Sequence, residues 1–160
     1  SMDRVRIDAA AEHMIDSGFE KLMESDKMMP LAQRYILIEM SYLQPSLNFD
    51  EALIKIKEKG FFPILAHPER YIFLHQNHKK YATFKEKGIL FQLNMLSLSD
   101  FYGKEVKKIT LQLLEEGLID FIASDVHNQT QIKAIKNIRL NNKTLERIVP
   151  LLRNTVERIV

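Results

Sequence analysis

Gly60-Phe61-Phe62-Pro63-Ile64-Leu65-Ala66-His67-Pro68-Glu69-Arg70 contains the unit from which this fold is built. The glycine follows an amphipathic run and suits a helix stop, because it takes the left-handed conformation at little steric cost. The apolar run after it has the length of a strand buried on both faces, and a histidine stands where that strand ends. Working outward, Glu12, Glu39, His67, Asn94 and Asp125 recur at intervals of 27, 28, 27 and 31 residues. Each ends an apolar-rich run: Val5 to Ala11, Tyr35 to Ile38, Phe62 to Ala66, Leu90 to Leu93 and Phe121 to Ser124. An interval of about 28 residues accommodates one strand, one helix and two loops, so the spacing predicts repeated βα units. In parallel α/β folds the carboxyl ends of successive strands converge on one face, where such folds do chemistry.

A second rhythm agrees with the first. Glu58-Lys59-Gly60, Glu86-Lys87-Gly88 and Glu115-Glu116-Gly117 each precede a predicted strand, with glycines 28 and 29 residues apart. Phe49, Leu53 and Ile56, and again Val106, Ile109 and Leu113, follow helical spacing, while Lys55, Lys57, Lys59, Lys107 and Lys108 fall largely outside the stripe and read as a solvated face. Thr144 to Val160 reads as a final helix capped by Asn142 or Thr144, with Leu145, Ile148, Val149, Leu152 and Val156 on one face and Pro150 kinking or dividing it.

Composition bounds the classes of function. At 160 residues and 46% hydrophobic content the chain can bury one substantial core, so residues 3–160 are expected to form a single unit and Ser1-Met2 reads as a scar of tag removal. No apolar run approaches the roughly 18 residues needed to span a bilayer, and no signal-peptide pattern opens the chain, so a cytoplasmic location without membrane insertion is expected. The absence of cysteine excludes disulfides, thiolate metal sites and a cysteine nucleophile. With 23 basic and 21 acidic side chains interspersed and a net charge of +2, there is no strong field for nucleic acid.

The strand-end residues carry the candidate chemistry. Asp125-Val126-His127 is an Asp-x-His pair whose side chains point the same way on an extended segment; it serves either a metal or a simple cap. His67 is either a ligand or a satisfied structural histidine, with Pro68 restraining the turn after it. Glu39 follows Tyr35-Ile36-Leu37-Ile38, and a carboxylate there is costly to bury unless paired or bound to a metal; Glu12 makes the same argument more softly. Taken jointly on one rim, these residues favour a metal centre. Carboxylates and imidazoles without sulfur suit manganese, iron or zinc, which activate water and bind phosphoryl oxygens. Arg70 is then a phosphate grip or, alternatively, a surface partner of Glu69 or another acid. His75 and His78 sit in a polar loop and are expected to be exposed, and Gln92 and Asn94 are expected beside the ligands or on substrate.

Ile36-Leu37-Ile38-Glu39-Met40-Ser41-Tyr42, Leu65-Ala66-His67-Pro68-Glu69-Arg70-Tyr71, Leu90-Phe91-Gln92-Leu93-Asn94-Met95-Leu96-Ser97-Leu98, Tyr102-Gly103-Lys104 and Gly117-Leu118-Ile119-Asp120-Phe121-Ile122-Ala123-Ser124-Asp125-Val126-His127-Asn128 together resemble the bacterial capsule-biosynthesis tyrosine phosphatases of CpsB/CapC type. These belong to the polymerase and histidinol phosphatase (PHP) superfamily. The resemblance runs from about Val5 to Asn128. It implies a distorted (β/α)7 barrel, up to three divalent metal ions, with manganese first and iron or zinc as alternatives, and a metal-activated hydroxide attacking phosphotyrosine. By resemblance, Glu12 is the bridging glutamate, Glu39 and His67 complete one metal, Asp125 belongs to a second and His127 to a third. Arg70 matches the phosphate-holding arginine, and Asn128 lies beside the substrate. Where the family commonly carries another arginine, this chain has Gln129-Thr130-Gln131-Ile132-Lys133.

The sequence also departs from the family at its front, where the expected His-x-His strand and Pro-Gly-x-Asp-Asp-Gly-like loop are missing. The expectation is therefore a C-terminal portion of about five βα units, a partial PHP-type barrel not closed by this chain alone. One metal site survives in that reading, and phosphatase activity is weak or absent. A phosphotyrosine protein such as a bacterial tyrosine kinase is the expected partner, and a homo-oligomer or domain swap is expected to cover the open edge. The competing readings are a noncatalytic metal-binding or oligomerising remnant, and another PHP-type phosphoesterase acting on a small molecule.

Overall fold

The computed structural model describes residues 8–25 and 27–159. In chain order the elements are β1 (Glu12–Met14), α1 (Phe19–Glu24), β2 (Tyr35–Glu39), α2 (Phe49–Glu58), β3 (Phe62–Ala66), α3 (Ile72–His75), α4 (Lys79–Glu86), β4 (Leu90–Asn94), α5 (Lys104–Glu115), β5 (Phe121–Ala123), α6 (Gln129–Lys136) and α7 (Asn142–Arg158). The strands form one five-stranded parallel sheet in the order β1-β2-β3-β4-β5, so each βα unit adds its strand beside the last and the sheet does not close. Gly60, Gly88 and Gly117 take φ of +82°, +74° and +67° directly before β3, β4 and β5, as a left-handed helix stop requires.

The pleat sorts each strand onto two faces. Ile36, Ile38, Leu65, Phe91, Leu93 and Ile122 point into the larger core, which also buries Phe49, Leu53 and Ile56 of α2 and Ile109 and Leu113 of α5. On the opposite face Tyr35, Ile64 and Phe121 form a smaller cluster with the partly buried Leu37 and Leu90. Period-two alternation carries that inner face on to Glu39 and Asn94, which end β2 and β4. The apolar floor and the polar rim are therefore consecutive positions of the same strands.

The lysines outside the helical stripes do more than meet solvent. Lys55 pairs with Glu20, joining α2 to α1, and Lys87 bonds Asp50 at 2.6 Å, joining the end of α4 to α2. Among the described residues no helix is long and apolar enough to cross a membrane.

Two expectations for individual elements are corrected. Glu12 opens a three-residue strand instead of closing a longer one; Val5, Arg6 and Ile7 lie outside the described residues, and residues 8–11 are not strand. The last helix begins two residues earlier than expected, with Asn141 as its cap: its side chain accepts from the Thr144 N–H at 2.8 Å. Pro150 lies inside this helix without dividing it. Its buried face is Thr144 and Ile148, with Leu151 packed partly against the core, whereas Leu145, Val149, Leu152 and Val156 are 47%, 38%, 38% and 63% exposed. Thr155 fixes the rotation by exchanging hydrogen bonds with the Ile122 backbone of β5, at 3.0 and 3.1 Å.

Candidate metal centre

The first residue of β1, the last of β2 and the residue after β3 supply three side chains to one point. Glu39 is the last residue of β2, on the inner face. Parallel pairing sets Glu12 opposite Leu37 and Met14 opposite Glu39, and because His13 is buried on the other side against Phe19, Glu12 shares the face of Glu39. His67 would point the other way if β3 simply continued. It instead takes φ 35° and ψ 56°, and this left-handed turn carries its imidazole to the rim, while its backbone N–H donates to Gln92 O at 2.7 Å. Such a backbone costs a non-glycine residue on the order of 1–3 kcal/mol and is concentrated at functional sites. Asp125, at the end of the run after β5, takes φ 47°.

His67 Nε2 lies 3.0 Å from Glu12 Oε1 and 3.6 Å from Glu39 Oε2. One ligand atom from each residue falls within 4.8 Å of the other two. Donors about 2.0–2.2 Å from a shared first-row ion stand roughly 3–4 Å apart, and the two distances from His67 Nε2 fall in that range. The electrostatics point the same way. Burial pushes the Glu39 carboxyl above its usual range, and the nearby Glu12 carboxylate pushes it further, with His67 opposing. A cation relieves that crowding of negative charge. Glu12 and Glu39 side chains are 27% and 24% exposed, which leaves the pocket open on one side for further ligands.

A second group adjoins it. Asp125 Oδ2 accepts from Asn94 Nδ2 at 2.7 Å and from Arg70 Nη1 at 3.4 Å. Arg70 therefore pairs with Asp125. The alternative pairing with Glu69 fails because Glu69 is fully buried: its Oε1 accepts from Ser97 Oγ at 2.7 Å and from the Asn94 N–H at 3.1 Å, and its Oε2 has no hydrogen-bond partner among the described residues. Burial raises the Glu69 carboxyl above its usual range, and the Ser97 bond opposes this. Glu69 and Ser97 were not identified from sequence as site residues; a glutamate between a proline and an arginine looks like surface, and only the fold turns it inward.

The remaining candidates disperse. The His127 side chain is 71% exposed and faces its own loop, with Nδ1 3.0 Å from Asp125 O and 3.7 Å from Asp125 Oδ1. Asn128 caps α6, its side chain accepting from the Gln131 N–H at 3.0 Å, so it is engaged with backbone and not turned to the rim. Gln92 is half-buried in β4 and contributes its carbonyl to His67. Lys133 is exposed on α6. His75 is not simply a solvent-facing loop residue: its Nε2 lies 2.8 Å from Glu69 O. His78 Nε2 lies 2.7 Å from Glu116 Oε2.

An open run of parallel βα units with a carboxylate and imidazole cluster along one rim of its sheet defines an α/β protein of the PHP type with a candidate divalent-metal centre. Comparison with known proteins narrows the class. A family model described as capsular polysaccharide synthesis, CpsB/CapC, matches residues 1–146, and the chain belongs to that family. The tyrosine-protein phosphatase YwqE of Bacillus subtilis (strain 168) is 36% identical over 95 residues, covering 59% of this chain and 37% of YwqE. The tyrosine-protein phosphatase CpsB of Streptococcus pneumoniae is 32% identical over 116 residues, covering 69% of this chain and 48% of CpsB. A solved structure from the pair YwqE of Bacillus subtilis and CpsB of Streptococcus pneumoniae, described as unique metal-dependent tyrosine phosphatases, superposes with a TM-score of 0.69 at 27% identity, covering 91% of this chain and 64% of that one. The chain thus spans half or less of the length of these two relatives.

Proposed function

We propose that this chain is part of a metal-dependent protein tyrosine phosphatase that hydrolyses phosphotyrosine monoesters in the regulation of capsule or exopolysaccharide synthesis. The observation that carries the reading is the convergence of Glu12, Glu39 and His67 Nε2 on one point, from the first residue of β1, the last of β2 and the residue after β3. These three residues would hold one divalent ion, manganese first and iron or zinc as alternatives. When bound, such an ion supplies Lewis acidity toward a phosphoryl oxygen and lowers the pKa of coordinated water. The chain's own residues bind and orient. Arg70 offers charged N–H donors to the phosphoryl oxygens, a geometry its planar fork favours. Asn94 and Asp125 hold that fork at the rim, and Asp125 partly balances its charge.

The described residues bring together donors for one ion, so the reading includes one metal per chain and weak or absent turnover by this chain alone. A phosphotyrosine protein such as a bacterial tyrosine kinase is the proposed partner, and the cytoplasm the proposed location. The test is metal content measured together with hydrolysis of a phosphotyrosine peptide in manganese. One ion per chain with feeble turnover is expected; three ions with normal turnover, or no ion at all, overturns the reading.

A second reading, a noncatalytic remnant that self-associates, is favoured by the exposed stripe Leu145, Val149, Leu152 and Val156 on α7. Sedimentation equilibrium separates the two, since a monomer at all concentrations removes the self-association.

A further inference from the structure

Arg70 is held by more than its ion pair. Its guanidinium carbon lies 4.4 Å from the ring centroid of Tyr42 and 4.1 Å from that of Tyr102. Tyr42 follows β2 and Tyr102 lies in the short turn Asp100–Tyr102 after β4, so two different strand ends bring these rings to an arginine at the end of a third. Both ring centroids lie within 4.4 Å of one guanidinium carbon, and no ring contact joins the two tyrosines among the described residues. Each is braced independently. The Tyr42 ring sits 5.5 Å from the imidazole of His67 and stacks 6.0 Å from Tyr71, and its carbonyl accepts from the Ile72 N–H at 2.9 Å. The Tyr102 hydroxyl accepts from Asn94 Nδ2 at 3.4 Å, and its ring meets Phe101 edge-on at 5.0 Å.

We propose that Tyr42 and Tyr102 are positioning residues that clasp the two faces of the Arg70 guanidinium and present its N–H edge to an anion at the metal rim. The inference rests on Arg70 being the phosphate grip. A guanidinium has two π faces and an in-plane edge that carries all five donors. Rings on both faces use the part that cannot hydrogen-bond and restrict the long side chain's rotamers. They leave the edge as the only part able to meet a ligand. Nη1 already points to Asp125 Oδ2 at that edge, beside the Asn94 amide, which gives the direction the fork faces. Less ordering remains to be done when a phosphoryl group arrives, so the rings raise affinity without touching the anion.

Neither tyrosine was assigned a role by its position in the sequence. Tyr42 lies beyond the apolar run that ends at Glu39, and Tyr102 sits in Tyr102-Gly103-Lys104, which carries no chemistry of its own. Only the fold brings them to the same arginine.

The experiment is calorimetric titration of the manganese-loaded chain with phenylphosphonate, whose C–P bond the site does not hydrolyse. Arg70→Ala is expected to weaken binding about tenfold through loss of a charged fork. Tyr42→Ala and Tyr102→Ala are each expected to weaken it about threefold, the scale of a partly exposed cation–π contact. Tyr42→Phe and Tyr102→Phe keep the ring and are expected to retain wild-type affinity. In the Arg70→Ala background the tyrosine changes are expected to have no further effect, because they act through Arg70. Unchanged affinity in both alanine variants, or an undiminished loss in the Arg70→Ala background, overturns the clasp while leaving Arg70 as the grip. Unchanged affinity in Arg70→Ala, or no binding by the wild-type chain, overturns the grip and the clasp together. Manganese stoichiometry, read on every variant, separates a lost fold from a lost clasp, and the phenylalanine variants decide the matter if an alanine variant fails to fold.

Discussion

Asn94 Nδ2 donates a 2.7 Å hydrogen bond to Asp125 Oδ2, so an amide at the end of β4 fixes a carboxylate in the segment after β5. Asn94 is itself fully engaged. Its Oδ1 accepts from the Leu96 N–H at 2.9 Å and its own N–H donates to Glu69 Oε1 at 3.1 Å. Replacing the amide by a carboxylate keeps the Leu96 acceptor but sets two like charges side by side in a buried place. Asn94→Asp is therefore expected to lower stability by about 1–3 kcal/mol, the cost of an unsatisfied buried group. Urea midpoints at pH 7 measure this, and a midpoint equal to wild type would show that the Asn94–Asp125 bond is dispensable.

The metal triad makes a prediction that separates its members from their neighbours. Glu39→Gln removes a charged donor from the three converging groups and His67→Ala removes a donor outright, and each is expected to weaken manganese binding by at least about tenfold, the scale on which even outer groups affect affinity. His127→Ala is expected to leave binding unchanged, since that imidazole is 71% exposed and faces its own loop. Calorimetric titration with manganese reads both. Loss of binding in His127→Ala with retention in Glu39→Gln would move the centre from Glu12, Glu39 and His67 to the segment after β5.

Glu69 is a brace between strand ends. Its Oε1 is the shared acceptor for Ser97 Oγ and the Asn94 N–H. Glu69→Ala strands both donors and opens a void, and about 3 kcal/mol of destabilisation is expected. Glu69→Gln preserves that acceptor, and its amide NH2 replaces an Oε2 that has no hydrogen-bond partner among the described residues. Its cost is expected to be at most about 1 kcal/mol. Thermal and urea unfolding of the two variants distinguish a brace from a charge requirement: equal losses would mean that the negative charge itself is needed.

Much of the rim was legible because one physical rule writes it. A parallel strand buried on both faces has to be apolar until it ends, so the first polar residue after each run marks the rim. Glu39 and His67 follow that rule directly, whereas Gln92 stands inside the run before Asn94 and Ser124 stands between the run and Asp125. Glu12 does not, since it begins its strand, and there the spacing succeeded where the strand boundary failed. The pairing of Arg70 could not be read from its neighbours, because the left-handed His67 reorients the turn that follows and sends Glu69 inward. On α7 the apolar spacing gave the helix and its apolar face but not which residues meet the core: Ile148 is buried, while Leu145, Val149, Leu152 and Val156 are exposed. Position along a helix gives a stripe; which stripe meets the sheet depends on contacts such as Thr155 with Ile122, which couple residues 33 apart.

His13 gives a pH dependence whose sign is fixed by burial. It is 6% exposed, its ring meets Phe19 edge-on at 6.5 Å, and its Nε2 has no hydrogen-bond partner among the described residues. Burial alone lowers its pKa below the ordinary value of 6.5. As pH falls below 6.5, the unfolded chain takes up a proton on this imidazole before the folded chain does, and the equilibrium moves toward unfolding. The contribution of neutral His13 to stability is thus complete above pH 6.5 and is lost as pH falls through the lowered folded value. His13→Leu cannot titrate and leaves no buried nitrogen without a partner. Wild type and variant, each stripped of metal by chelator, share every other titrating group, so the difference between their urea midpoints isolates His13. The variant is expected to gain on wild type between pH 7.5 and pH 5; a constant difference across that range would mean that His13 keeps its ordinary pKa in the fold.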